Sequence, residues 1–355
     1  MAREKHIVDL TIGNFKRFAD FEVKNLGQFN LIVGDNNTGK TSFLEALIFD
    51  EEESVFELIK NLASSFHVRS QEISDLGLKE HVYNNFSLFL NRNFISENLN
   101  IFYAKANGTY VMSLRRFSHN EDLGNLNSFE KEKLYSSDDT INEFIFSVNN
   151  TISTTLSPIP SIKDYYPFVA FGLGYDDHLI KYYSKYIDVN KATRNLFIER
   201  LQVLIPKVND VRVGNDVLNI YEEGIDTPMP LFTYGEGANK LFRILCEIAM
   251  CKGKRLMIDE IDAGIHYSRF KSFWRTIMQA AKAYDVQIFA TTHNIECVEY
   301  FREVLEEEAM QEYQDLARIV SLKVKEDNSV KARVYDYEYM EYAKDANREL
   351  RGGGL

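Results

Sequence analysis

The stretch FNLIVGDNNTGKTSFLEALIF, residues 29–49, decides how this chain is read. Phe29 to Val33 is an unbroken apolar run, suited to a strand buried on both faces. Residues 41–49 carry apolar side chains at helical spacing, so a helix follows. Between them, Gly34-Asp35-Asn36-Asn37-Thr38-Gly39-Lys40-Thr41 fits the pattern GxxxxGK[ST]. With glycine near 7% of residues, chance places that pattern in about one chain of this length in a hundred. The flanking strand and helix make a plain surface turn a poor alternative.

The residue types follow from the chemistry of holding a polyphosphate. A turn of backbone N–H groups has to wrap the anion, and glycine allows the backbone angles and the close approach. The helix that starts near Lys40 aims its positive end at the same place. Lys40 is then the cation for the β- and γ-phosphates, and the Thr41 hydroxyl is a ligand for Mg²⁺. Gly34, Asn36, Asn37, Thr38, Gly39 and Ser42 complete the expected contacts of a bound ATP.

Upstream, Val8, Leu10 and Ile12 alternate with polar residues as on a half-buried strand, and Phe21 and Val23 repeat the pattern. Downstream, the last third alternates again. A helix is expected over 236–251, a buried strand over 255–259 and a helix over 267–284. A second buried strand is expected over 286–292, with a helix over 294–311. That order implies a mostly parallel sheet with helices on both faces, an α/β fold. Strand-like runs over 316–325 and 329–337 flank Asn328 as a hairpin, and a helix is expected over about 338–350.

The middle of the chain is less regular. Residues 54–66 and 177–204 have helical spacing, and 166–172 reads as a short strand. Residues 99–116 read as a β-hairpin turning at Asn107-Gly108. Residues 118–140 are polar and loop-rich. Aromatic residues between 165 and 197, such as Tyr182, Tyr183 and Tyr186, read as core packing, with a partner-binding face as the alternative. No repeat or sustained heptad supports a long coiled coil. The organisation is therefore 1–50 as an N-terminal lobe with the phosphate loop, 51–225 as a β-hairpin and helical elaboration, and 226–355 as a C-terminal lobe.

Two further sites lie in that C-terminal lobe. The strand Arg255 to Ile258 ends in adjacent acids, Asp259 and Glu260. A buried strand rarely ends so without a partner for the charge. Asp259 can hold Mg²⁺, and Glu260 can polarise an attacking water. Asp262 follows in the next turn, either as a turn-capping residue or at a subunit boundary. The next strand ends Thr291-Thr292-His293, which in a parallel sheet sets His293 beside Asp259 and Glu260 at the carboxyl edge. A histidine there can contact and report a γ-phosphate. Upstream, LFTYGEGANK (231–240) puts Gly235 and Gly237 at the start of an amphipathic helix, a second anion-binding helix end.

These pieces, in this order, resemble ABC-type ATPase heads. GKT (39–41) resembles Walker A, YGEGANK (234–240) the signature loop, and LMIDE (256–260) Walker B. Asp262 resembles the D-loop acid and His293 the switch histidine. NFKRF (14–18) and NLIVGDNNTGKTS (30–42) are more similar to RecF, SMC and OLD-family ATPases than to transporter subunits. DEIDAGIHYSRF (259–270), QIFATTHNIECVEYF (287–301) and YDYEYMEYAKDANRELR (335–351) resemble small OLD-like AAA ATPases of bacteria. The resemblance implies an ABC-type P-loop fold with an N-terminal antiparallel β region. It implies ATP held between two copies of the chain, with the signature end of one, Gly235, Gly237 and Asp262, facing the other's nucleotide. Catalytic roles fall to Lys40, Glu260 and His293, and Mg²⁺ binding to Thr41 and Asp259. Where ABC signatures carry Ser this chain has Gly235, leaving backbone N–H groups with Asn239 or Lys240 for a partner's γ-phosphate. Gln71 is the nearest candidate for a Q-loop glutamine. The roughly 50 residues after the His293 helix are too few for the Toprim nuclease domain that follows the ATPase in OLD nucleases. The implied function is an ATP-dependent homodimeric switch of an anti-phage defence system that controls a separate effector such as a nuclease. The alternatives are a RecF- or SMC-like DNA-repair ATPase and a transporter subunit.

Composition bounds these readings. The 355 residues are 45% hydrophobic and 26% charged, as in a globular protein. The net charge of -12 weighs against a strongly basic nucleic-acid binder, although Lys16, Arg17, Lys105, Arg115 and Arg116 are candidates for a local patch. No long apolar run predicts a membrane span, and the N-terminus lacks the apolar core of a secretion signal, so a cytoplasmic protein is expected. Cys246, Cys251 and Cys297 form no CxxC pair and read as reduced thiols.

Overall fold

Phe29–Val33 is the third strand, β3, of a six-stranded sheet in the computed structural model, and all five of its residues are buried. The structure describes residues 5–50, 58, 90, 98–117, 143–149, 151–154, 168–169, 177–346 and 348–350. The strands before β3 are β1 (Ile7–Phe15) and β2 (Phe18–Val23), and α1 (Lys40–Ala46) leaves the phosphate loop. Next come β4 (Asn98–Lys105), β5 (Gly108–Phe117), β6 (Glu143–Val148), β7 (Thr151–Thr154) and β8 (Phe168–Val169). Helix α2 (Asp177–Tyr182) runs into a π-turn, Tyr183–Ile187, and α3 is Lys191–Leu201. Then follow β9 (Val208–Gly214), β10 (Val217–Glu222), β11 (Met229–Pro230), α4 (Glu236–Met250) and β12 (Arg255–Ile258). The chain closes with α5 (Phe270–Ala283), β13 (Gln287–Thr291), α6 (Ile295–Leu305), β14 (Ala317–Val324), β15 (Val330–Tyr335) and α7 (Tyr337–Asp345).

The central sheet has the order β15-β14-β3-β13-β12-β8. All neighbours are parallel except the β14–β15 hairpin. Parallel pairing brings the carboxyl ends of β3, β12 and β13 to one edge, where the loops after Val33, Ile258 and Thr291 emerge side by side. The sheet also divides the core. Phe29, Leu31, Val33, Leu256, Ile258, Ile288 and Ala290 face the layer of α4, α5 and α6. Ile32, Met257, Phe289 and Val320 face the other side. That side is covered by α1 and a six-stranded antiparallel sheet, β2-β1-β4-β5-β6-β7, instead of the second helical layer that strand–helix alternation predicts.

Several expectations shift by a residue or more. Val8 is 38% exposed, because a bulge between Ile7 and Asp9 turns it out while Leu10 and Ile12 stay buried. The β4–β5 hairpin closes with Lys105 opposite Gly108, so Ala106 and Asn107 occupy the turn. The predicted helix 177–204 is two helices parted by the π-turn, and helix 294–311 stops at Leu305 before a 3₁₀ segment, Glu308–Leu316. Helix α4 is not amphipathic in use. It is buried throughout from Ala238 to Met250, with Tyr183 and Phe197 packed on Phe242. The β9–β10 hairpin was not anticipated. Its turn residues Asn215 and Asp216 have φ of 55° and 56°, the backbone of a tight two-residue turn. The helix expected over 54–66, apart from the helical and buried Leu58, the polar 118–140 segment and Gln71 lie outside the described residues. Among the described residues, no helix is long and apolar enough to cross a membrane. The three cysteines are buried and unbridged.

Candidate nucleotide site at the carboxyl edge

The loop after β3 is closed by its own lysine. Lys40, 8% exposed, donates from Nζ to the carbonyls of Gly34 at 2.9 Å and Asp35 at 3.1 Å. The Thr38 hydroxyl donates to the same Asp35 carbonyl at 2.9 Å. Gly34 and Gly39 take φ of 151° and 101°, and Asn37 one of 62°. Asparagine is the side-chain residue that tolerates this region best. Asn36, Asn37 and Thr41 are exposed, Ser42 is half-buried, and Thr38 is buried. The stem of Arg17 lies over Gly39, 3.3 Å from where a Cβ would stand. Lys16 beside it pairs with Glu45 of α1 at 2.5 Å.

The loop after β12 meets this one. Thr41 Oγ1 lies 3.2 Å from Asp259 Oδ2. Asp259 also accepts the Thr291 hydroxyl proton at 2.6 Å, and its N–H donates to Val169 of β8 at 2.8 Å. Glu260 Oε2 is 2.6 Å from His293 Nδ1. A carboxylate only accepts, so Nδ1 carries the proton in that contact. His293 was expected to reach a γ-phosphate; here its ring is turned to Glu260 and remains mostly exposed. Asp262 is half-buried and accepts the Thr292 hydroxyl at 2.7 Å, a contact within its own chain.

The glycine turn at the start of α4 packs on the same loop. A Cβ on Gly237 would stand 2.7 Å from the Gly264 carbonyl oxygen, so the loop that carries Asp259, Glu260 and Asp262 rests on that glycine. Gly235, with φ of 82°, is exposed. Asn239 and Lys240 do not point outward as the sequence suggested. Asn239 turns its amide nitrogen onto the Gly235 carbonyl at 2.7 Å, and Lys240 Nζ donates to the Glu260 carbonyl. Burial lowers the Lys240 pKa, while the carboxylates of Asp262, Glu260 and Asp259 oppose that effect. Tyr234, just before the turn, donates to Glu222 at 2.7 Å; burial and that bond raise its pKa.

Thus the fold brings Lys40, Thr41, Asp259, Glu260 and His293 to one edge. It does not gather the basic candidates. Lys16 and Arg17 sit at this carboxyl edge, whereas Lys105 lines a cavity with Lys254 and Arg255 at the amino ends of the strands. The side chains of Arg115 and Arg116 are outside the described set. Sequence reasoning missed Thr291, Thr292 and the inward role of Lys240. Two hydroxyls immediately before His293 were the available signal, since successive strand residues face opposite ways and can serve two different acids.

Residues 29–299 match the family described as AAA domain, putative AbiEii toxin, Type IV TA system. The chain belongs to this family. The match runs from β3 into α6, so the AAA ATPase domain includes Lys40, Thr41, Asp259, Glu260 and His293. This AAA ATPase is an ATP hydrolase by family. It is similar to a Helicobacter pylori (strain ATCC 700392 / 26695) protein named ATP/GTP phosphatase. The two are 24% identical over 374 residues, covering 98% of this chain and 100% of the relative. Its fold is that of SMC heads. The Smc head bound to the C-winged helix domain of ScpA aligns with a TM-score of 0.55 at 14% identity, covering 95% of this chain and 99% of that one. The Smc head domain with an extended coiled coil, bound to the C-terminal domain of ScpA derived from Pyrococcus furiosus, aligns at 0.56 and 13% identity, covering 97% and 100%.

Proposed function

We propose that this AAA ATPase is a switch: two copies close face to face on ATP and part after hydrolysing it. The observation that carries the reading is the double contact Thr41–Asp259 and Glu260–His293 at a single sheet edge. It supplies, in one place, a phosphate loop, a metal-ligating pair and a base with its orienting histidine. Lys40 is the cation for the β- and γ-phosphates, and the backbone N–H groups from Gly34 to Ser42 hold the rest of the anion. Glu260 takes the proton of the attacking water, and His293 fixes the direction of its carboxylate. Asp259 and the Thr41 hydroxyl are hard oxygen donors, the kind Mg²⁺ takes alongside phosphate oxygens and waters. Among the described residues no three acidic, His or Cys side chains form a metal cage, and Mg²⁺ held partly by its nucleotide needs none. When bound, the ion neutralises charge on the β- and γ-phosphates.

Closure involves the exposed Gly235 end of α4, whose first N–H groups have no partner in their own helix. With Asn239 and Lys240 turned inward, those N–H groups are what the helix offers to a second copy's γ-phosphate. The reading extends to a bacterial anti-phage defence system in which the switch governs a separate effector of nuclease type. Its support is the OLD-like resemblance of residues 259–270 and 287–301, together with the toxin in the family's description. The test is light scattering of the Glu260→Gln variant with Mg²⁺ and ATP. A stable dimer that needs ATP is expected; monomers alone overturn the switch.

A further inference from the structure

Glu260 adopts a backbone conformation that side-chain-bearing residues rarely take, with φ of 48°. Such a conformation persists where the surroundings over-determine it. Here both polar atoms of its main chain are held by side chains from other elements. On one side the Thr291 hydroxyl, at the end of β13, accepts the Glu260 N–H at 2.8 Å while giving its own proton to Asp259. On the other side Lys240 Nζ, reaching out of α4, donates to the Glu260 carbonyl.

Lys240 is only 4% exposed. Burying an ammonium group is costly, and a fold tolerates it where the cation is fully engaged. This one is engaged with the peptide of the residue that carries the carboxylate, beneath a loop already seated on Gly237. The loop therefore cannot swing without breaking a charge-assisted hydrogen bond.

We propose that Lys240 is a positioning residue for hydrolysis: with Thr291 on the opposite side, it grips the Glu260 main chain and thereby aims the Glu260 carboxylate. The proposal rests on the reading of Glu260 as the base. It assigns Lys240 to its own chain's reaction and removes it from the partner's γ-phosphate.

The test uses the full chain and four variants, Lys240→Met, Lys240→Arg, Thr291→Val and Thr291→Ser, each also combined with Glu260→Gln. Single-turnover ATP hydrolysis, binding of a fluorescent ATP analogue and thermal melting are measured. Lys240→Met and Thr291→Val are expected to slow hydrolysis at least about tenfold while analogue affinity stays within about threefold. The conservative Arg and Ser variants are expected to recover most of the rate. In the Glu260→Gln background, Lys240→Met is expected to cost nothing more, because the carboxylate it aims is gone. A Lys240→Met protein that hydrolyses at the wild-type rate overturns the proposal. So does one that slows the Glu260→Gln variant by the same factor as the wild type. If Lys240→Met does not fold, a wild-type rate in Thr291→Val overturns it equally. A Glu260→Gln single variant that keeps full hydrolysis refutes the base itself, a separate failure from that of the clamp.

Discussion

Thr41 and Asp259 stand 218 positions apart in the chain, and the Thr41 hydroxyl lies 3.2 Å from Asp259 Oδ2. No local interaction joins them. The parallel pairing of β3 with β13 and of β13 with β12 aligns the strand ends, and each loop then delivers one oxygen donor to the same point. Thr291 from the strand between them fixes the Asp259 carboxylate at 2.6 Å. The pair is thus a product of sheet order, not of sequence proximity.

Removing either donor is expected to weaken the metal and leave the fold. Thr41→Val or Asp259→Asn should raise the Mg²⁺ concentration for half-maximal hydrolysis by at least about 10-fold. That is the lower end of what even outer partners of metal ligands are worth. Steady-state rates across a Mg²⁺ titration, with melting curves as the control, measure this. An unchanged Mg²⁺ dependence in both variants contradicts the metal assignment.

Lys40→Ala should sharply weaken ATP binding. Its ammonium is fixed by two carbonyls of the loop, so a bound phosphate meets a cation already in place. A hydrogen bond to a charged group is worth about 1.5–3 kcal/mol, which is roughly 10- to 150-fold in affinity. Titration calorimetry with ATP reads the loss. Affinity equal to the wild type would place the nucleotide elsewhere.

What could be read without coordinates follows a physical divide. The phosphate loop, the strands ending at Val33 and Ile258 and the helix after Gly235 were legible because their signals are local: an apolar run, a glycine turn, a helix start. The pairing of Glu260 with His293 was inferred one step further, from parallel strands placing their carboxyl ends side by side. What stayed hidden depends on packing. Asn239 and Lys240 are turned onto the carbonyls of Gly235 and Glu260, and no periodicity announces those contacts. The antiparallel β region was expected at the N-terminus, but not that its sheet covers the second face, since β1 pairs with β4 far along the chain without any local mark. The β9–β10 turn, Gly214-Asn215-Asp216, was a local signal that went unread.

Gly237→Ala should destabilise the fold through one contact. The new methyl would stand 2.7 Å from the Gly264 carbonyl oxygen, and backbone cannot give way as a flexible side chain can. Overpacking of this kind costs about 1–3 kcal/mol. At about 2–4 °C per kcal/mol for a large domain, a melting-temperature drop of several degrees is expected by calorimetry. Because the displaced loop carries Glu260, hydrolysis should fall with it. A variant with unchanged melting and rate would mean that the loop does not rest on this glycine.

Acid should remove one defined part of the stability. Glu307, just beyond the end of α6, accepts two bonds from Arg275 of α5, at 2.7 Å and 2.5 Å. The Arg275 hydrogen bonds hold the Glu307 carboxyl below its ordinary value of 4.5. Its folded pKa is therefore lower than its unfolded one, so the pair stabilises the fold above pH 4.5. That contribution is lost as the pH falls through the folded value. Both side chains are partly exposed, which limits the pair to about 1 kcal/mol or less. Glu307→Gln should accordingly melt about 1–3 °C below the wild type near neutral pH. The gap should close in acid, once the wild-type carboxyl is protonated as well. Melting curves of the two proteins across that range decide it: a gap that persists or widens in acid would show that the ion pair is not what Glu307 contributes.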